Sequence, residues 1–237
     1  MKIMEKFAEK QKNLRAAAPV IAFLGDSVTQ GCFEVFFQAD GSLDTVFEPE
    51  NSYPNMLFRK LTTLYPKVYP VIVNAGISGD SARCGLERVE QDIIRFKPDL
   101  TVVSYGLNDS LGGDVDAYGE NLTKIFKALQ AAGSEVIFLT ENMMNSRVHE
   151  SITDERIVSI AKSFMERQAE GILDRFMERA RQVAKACEVE VCDCHKIWRD
   201  MDRNGVDTTD MLSNRLNHPS RQMNMLFAEE LLKTMLR

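Results

Sequence analysis

The chain has no run approaching the roughly 18 consecutive apolar residues that a membrane-spanning helix requires, so no membrane insertion is expected. It also lacks the apolar core of a secretion signal. Its opening stretch, MKIMEKFAEKQKNLRAAAPV, mixes charges throughout and reads as a lead-in helix over residues 1–18, with a cytoplasmic location as the expectation. Basic residues are not in excess: 29 Lys and Arg stand against 35 Asp and Glu, a net charge of −6, which argues against nucleic acid as a partner. Disulfide arithmetic fails too, because the cysteines number five and are scattered, at Cys32, Cys84, Cys187, Cys192 and Cys194; free thiols in a reducing compartment are expected. Repeats, low-complexity tracts and linkers rich in Pro, Gly or Ser are all missing, so residues 1–237 are expected to form one domain.

Two absences bear on cofactors. The glycine-rich stretch GISGDSARCG (76–85) is neither G-x-G-x-x-G nor a phosphate loop ending in Gly-Lys-Ser/Thr, which disfavours nucleotide or flavin binding. The CDCH run from Cys192 to His195 has no second ligand pair, so a structural zinc site is not expected. The reading needs no cofactor and no metal.

What the sequence does contain is alternation. Five short apolar runs recur at 19–24 (PVIAFL), 68–75 (VYPVIVNA), 99–105 (DLTVVSY), 135–140 (EVIFLT) and 189–193 (VEVCD), as suits strands buried on both faces of a parallel sheet. Between them lie stripes at helical spacing: Leu86, Val89, Ile93 and Ile94, then Leu122, Ile125, Phe126 and Leu129. Pro98 and Gly133 read as helix stops. The region from Ser151 to about Cys187 carries two further stripes, with Gly171 near their join, and reads as two helices or one bent helix; Met223, Leu226, Phe227 and Leu231 lie on a last helix. The expected fold class is α/β: a three-layer α/β/α sandwich around a flavodoxin-like, five-stranded parallel sheet.

Ligands of such sheets bind beyond the carboxyl ends of the strands. The loops there hold Gly25-Asp26-Ser27, then NAGISGDSA (74–82), then GLND (106–109), with LNHPS and its His218 before the last helix. A serine, a glycine-rich turn, an asparagine and one of only three histidines are the requirements of acyl transfer: a hydroxyl, a base to take its proton, and N–H donors for an oxyanion. Ser27 alone could be an ordinary helix N-cap, and Asn108-Asp109 alone a turn signal.

GDSVTQG, NAGISGD, GLND and NHP, in that order, resemble the four sequence blocks of the SGNH, or GDSL, hydrolases, and the likeness runs from Phe23 to Pro219. The resemblance implies Ser27 as nucleophile and His218 as general base. It implies an oxyanion hole from the N–H groups of Ser27 and Gly79 and the amide of Asn108, with a small-molecule ester as substrate. Asp26 would brace the loop.

One block departs from the family pattern. An aspartate usually stands three residues before the histidine, but here that residue is Arg215, which cannot accept an imidazole N–H. Asp210 is the first choice of stand-in on proximity alone, Asp193 the second; a backbone carbonyl, water or a bare Ser–His pair also remain. Segments 33–52 and 141–187 are expected to shape the pocket, with Met143, Met144 and His149 either lining it or packing beneath the helices. Their polar, acidic content leans towards a small acyl group, such as acetyl, on a sugar-like carrier. A non-catalytic binding module on the same scaffold is the rival reading, and a lipase or thioesterase for longer acyl chains a further one.

Overall fold

The computed structural model describes residues 1–237. Five parallel strands, β1 (Val20–Gly25), β4 (Val71–Gly76), β5 (Leu100–Ser104), β6 (Glu135–Leu139) and β7 (Glu190–Cys192), form a sheet in the order β4-β1-β5-β6-β7. The expected runs match these strands to within a few residues. Val71 in β4 is exposed at the sheet edge, whereas every residue of β5 is buried, as a central strand covered on both faces should be.

Helices cover both faces. On one, α3 (Tyr53–Leu64) and α1 (Lys2–Lys12) pack against α9 (Arg221–Leu236); on the other, α4 (Ala82–Asp92) packs on α5 (Val115–Ala131), and α5 on α7 (Ile172–Ala186). The lead-in helix is thus shorter than the span 1–18, because Asn13 leaves helical geometry at φ −127°. Gly171, at φ +66°, separates α6 (Glu155–Ala169) from α7, so the long helical region is two helices. Asp114 caps α5 by accepting from the N–H groups of Asp116 and Ala117, and Ser220 caps α9 by accepting from that of Met223.

Several elements were not anticipated, α3 among them. A hairpin of β2 (Cys32–Phe37) and β3 (Leu43–Phe47) stands apart from the main sheet. A helix, α8 (Cys194–Arg203), begins at the CDCH run, capped by Asp193 accepting from the Lys196 N–H. One cluster of 46 buried side chains runs through the sheet and both helical layers and includes Met143 and Met144, which resolves their two readings in favour of packing. No helix is long and apolar enough to cross a membrane.

The strand order turns back at β1, whose neighbours β4 and β5 lead away in opposite directions. That reversal opens the crevice in which doubly wound sheets bind ligands.

Candidate active site

The chain leaves β1 through Gly25, where space is short: a Cβ would lie 2.1 Å from the Thr29 hydroxyl and 2.8 Å from the Ser104 carbonyl oxygen, so no larger residue fits. Asp26 then caps a single helical turn, α2 (Ser27–Gln30), its Oδ1 accepting from the Val28 N–H at 2.9 Å. Ser27 therefore opens a helix directly beyond the sheet. Asn74 ties this turn to β4 by donating to the Thr29 carbonyl at 2.9 Å, and Gln30 Oε1 accepts from the Ser78 N–H at 2.7 Å. Those two amides hold the 77–80 loop beside Ser27. In that loop Gly79 has φ +78°, open space on its Cβ side and no acceptor within the protein for its N–H.

His218 arrives from the opposite side. Asn214 Oδ1 accepts from the N–H groups of Leu216, Asn217 and His218 at 3.0, 3.0 and 2.9 Å, a three-point cap that shapes the loop. The Ser213 N–H donates to the His218 carbonyl, and Leu212 bridges Pro219. The ring ends with Nε2 at 3.0 Å from Ser27 Oγ and Nδ1 at 2.7 Å from the carbonyl oxygen of Phe33 on β2. A carbonyl only accepts, so Nδ1 carries the hydrogen and Nε2 presents its lone pair to the serine hydroxyl. Burial lowers the pKa of His218 below the ordinary imidazole value, against the hydrogen bond to Phe33 and the charge of Glu34, which raise it.

The acceptor is thus neither of the two carboxylates favoured from sequence. Asp210 contacts His149, Arg147 and Arg215 at 3.0, 3.2 and 3.5 Å. Asp193 forms a bidentate pair with Arg181, both contacts at 2.9 Å. Proximity in sequence misled because Arg215, left-handed at φ 58°, turns its guanidinium back to the Asp210 carbonyl at 2.6 Å. His149 and His195 do not line the cleft; His195 sits buried between Asp174 and the Glu141 carbonyl.

Asn108 lines the cleft with Ser27, Gly79 and His218, but its amide donates to the Asp80 carbonyl at 2.8 Å and reaches Asp26 Oδ2 at 3.4 Å. To serve an oxyanion it must relinquish the longer contact. Behind it lie buried carboxyls. Burial raises Asp26 to about 7 and Asp109 to about 6, and raises Glu141 well above the carboxylate range. Glu141 accepts from Ser104 Oγ at 3.0 Å through Oε1, while Oε2 has no partner.

The cleft has a volume of about 450 Å³ and lies between the hairpin and α6. Val35, Leu43 and Phe47 face Ile160 and Phe164 across it, with Gln30, Asp44, Thr45, Ser78 and Asn217 supplying polar groups. Arg156 stacks on Phe37 at 3.5 Å, tying α6 to the hairpin. Segments 33–52 and 141–187 do shape the pocket, as expected. No group of three or more His, Cys, Asp or Glu side chains is disposed to hold a metal ion. Sequence reasoning missed Asn214, Gln30 and Phe33; Asn214 carries a turn signal, Gln30 carries none, and Phe33 meets the imidazole through its backbone.

A hydroxyl bonded to a neutral imidazole, facing unpaired N–H groups in a crevice, can attack a carbonyl carbon and see the resulting charge stabilised. Comparison with known proteins agrees with that chemistry. The chain is 33% identical over 89 residues to an acetylxylan esterase of Geobacillus stearothermophilus (38% of this chain, 39% of the relative). It is 31% identical over 91 residues to an arylesterase of Vibrio mimicus (38% and 44%). These matches span less than half the length of either relative. A lipase/acylhydrolase structure from Enterococcus faecalis shares the fold, with a TM-score of 0.68 at 20% identity over 92% of this chain and 95% of the other. The model of the GDSL-like lipase/acylhydrolase family matches residues 23–226, and the chain belongs to that family.

Proposed function

We propose that the protein is a serine ester hydrolase working through an acyl-enzyme on Ser27. Ser27 Oγ attacks the ester carbonyl carbon while its proton passes to His218 Nε2. The new oxyanion accepts from the N–H groups of Ser27 and Gly79 and from the Asn108 amide. His218 Nε2–H then protonates the departing alkoxide, the C–O bond breaks, and the acyl group stays on Ser27. Water gives a proton to the same nitrogen, attacks the acyl carbon and releases the acid, with the proton returning to Oγ. The observation that carries this reading is the hydrogen-bonded relay from Ser27 through His218 to the Phe33 carbonyl, at 3.0 and 2.7 Å.

We read the substrate as a short acyl ester, acetyl first, on a polar or carbohydrate carrier. The polar side chains Gln30, Asp44, Thr45, Asn214 and Asn217 around the cleft suit hydroxyl groups, and the similarity to an acetylxylan esterase points the same way. A second reading, an aryl or longer acyl substrate, draws on Leu43, Phe47 and Ile77, which line the cleft yet remain 51%, 48% and 44% exposed. Hydrolysis of p-nitrophenyl acetate, p-nitrophenyl octanoate and acetylated xylooligosaccharides separates them. Ser27→Ala is expected to lower turnover by at least about 1000-fold. Equal rates for wild type and Ser27→Ala would leave a binding module as the better reading.

A further inference from the structure

The acceptor for the His218 ring is a main-chain carbonyl on a hairpin that the main sheet does not hold. Its position must be fixed by something else. Pairing within the hairpin is irregular between Cys32 and Val35: Cys32 faces Phe47 and Val35 faces Thr45, leaving Phe33 and Glu34 against the single residue Val46. This is a bulge, and bulges re-aim the residues they contain. The Glu34 carbonyl turns to the Thr45 hydroxyl at 2.9 Å, while the Phe33 carbonyl meets the imidazole at 2.7 Å.

One guanidinium grips this bulge. Arg221 opens α9, three residues after His218. Its Nη1 and Nη2 donate to the two carboxylate oxygens of Glu34 at 2.7 and 3.0 Å. Its Nε and Nη2 donate to those of Glu48, just past β3, at 2.8 and 2.5 Å. Its Cζ stands 4.4 Å over the ring of Phe33. Both ends of the hairpin stem, and the residue that supplies the carbonyl, thus converge on a side chain of the helix that follows His218. Only a planar fork can make two bidentate pairs and stack at once; an ammonium cannot.

We propose that Arg221 is a positioning residue for His218: by clamping the β2 bulge to the start of α9 it sets the Phe33 carbonyl that holds the imidazole, the work otherwise given to an aspartate side chain. This rests on His218 acting as the base. Loss of the clamp lets the carbonyl drift, the ring loses its fixed tautomer, and fewer molecules present a lone pair to Ser27.

The test compares wild type, Arg221→Met, Arg221→Lys and Ser27→Ala. Functional sites are counted with a fluorophosphonate probe, and kcat and KM for p-nitrophenyl acetate are expressed per titrated site. Nitrogen-15 NMR of labelled histidine reports the tautomer of His218, identified by the loss of its signals in His218→Ala. Arg221→Met is expected to lower kcat per site by about 10- to 100-fold with KM within about 2-fold, as a displaced catalytic group does, and Arg221→Lys by less. The His218 Nδ1–H tautomer, dominant in wild type, is expected to become a mixture in Arg221→Met. A variant with fewer titratable sites and a lower Tm, but wild-type kcat per site and an unchanged tautomer, would overturn the proposal and leave Arg221 a structural tie. Ser27→Ala turning over as fast as wild type would instead sink the acyl-Ser27 reading, and the tautomer measurement would still decide the role of Arg221.

Discussion

Asp26 offers a sharp test of the electrostatics under the serine. Its carboxyl is fully buried, and burial, opposed by the Val28 N–H and reinforced by Asp109 and Asp80, raises it from 3.8 to about 7. A raised acid binds more protons in the folded than in the unfolded state between those two values, so stability falls as pH climbs through that window and levels off above it. At about 1.4 kcal/mol per pH unit, the span from 3.8 to about 7 corresponds to roughly 4 kcal/mol of stability lost by pH 8. Asp26→Asn isolates this term, because asparagine keeps an oxygen to cap the Val28 N–H and cannot ionise. Urea unfolding of wild type and Asp26→Asn at pH 4, 6 and 8 is the assay. The stability of the variant relative to wild type is expected to increase with pH, by about 4 kcal/mol in all, with most of the change complete by pH 7. Constant separation of the two curves from pH 4 to 8 would refute the reasoning, since Asp26 would then ionise alike in both states.

Two further expectations concern the site itself. Burial holds His218 below the ordinary imidazole value of 6.5, and the ring must be neutral to accept the Ser27 proton, so activity is lost only when pH falls below 6.5; a kcat/KM profile whose acidic midpoint lies above that value contradicts the geometry. Gly76→Ala would drive a Cβ to 2.3 Å from the Gln30 amide nitrogen and 2.7 Å from the Thr29 carbonyl carbon, pushing on the turn that begins with Ser27. Overpacking of this kind costs about 1–3 kcal/mol, or about 2–4 °C in Tm per kcal/mol, and kcat should fall with it; unchanged Tm and kcat together would show that the turn yields freely.

The five sheet strands were legible because each is a short Val- and Ile-rich run between helical stripes, a pattern set by burial on both faces. The join near Gly171 was legible, but two helices or one bent helix both fitted the pattern; the left-handed glycine decides for two. The hairpin was not. Its strands are short and interrupted by Glu34 and Asp44, and although Asp40-Gly41 lies between them, neither keeps a strict apolar–polar alternation. Helix α8 escaped because it is short and largely polar, with only Cys194, His195 and Trp198 buried, too few to mark a stripe at helical spacing. At the site, Ser27, Asn108 and His218 stood out as polar residues on strand-end loops, while Gly79 was singled out by the resemblance to the SGNH blocks; the structure brings all four to one cleft. The partner of the imidazole could not stand out: a peptide oxygen is present at every position and leaves no mark on residue identity.

That peptide oxygen changes what mutation can reach. Exchanging the residue at 33 alters a ring stacked under Arg221 but leaves the acceptor atom in place, because all twenty amino acids carry it. Drift in side chains at that point is therefore tolerated in a way that drift at an aspartate would not be. Length is the vulnerable quantity: adding or deleting one residue between Gly31 and Val35 would cancel the bulge and aim a different peptide group at the ring. Among relatives built this way, the spacing of the hairpin should be held more strictly than its composition.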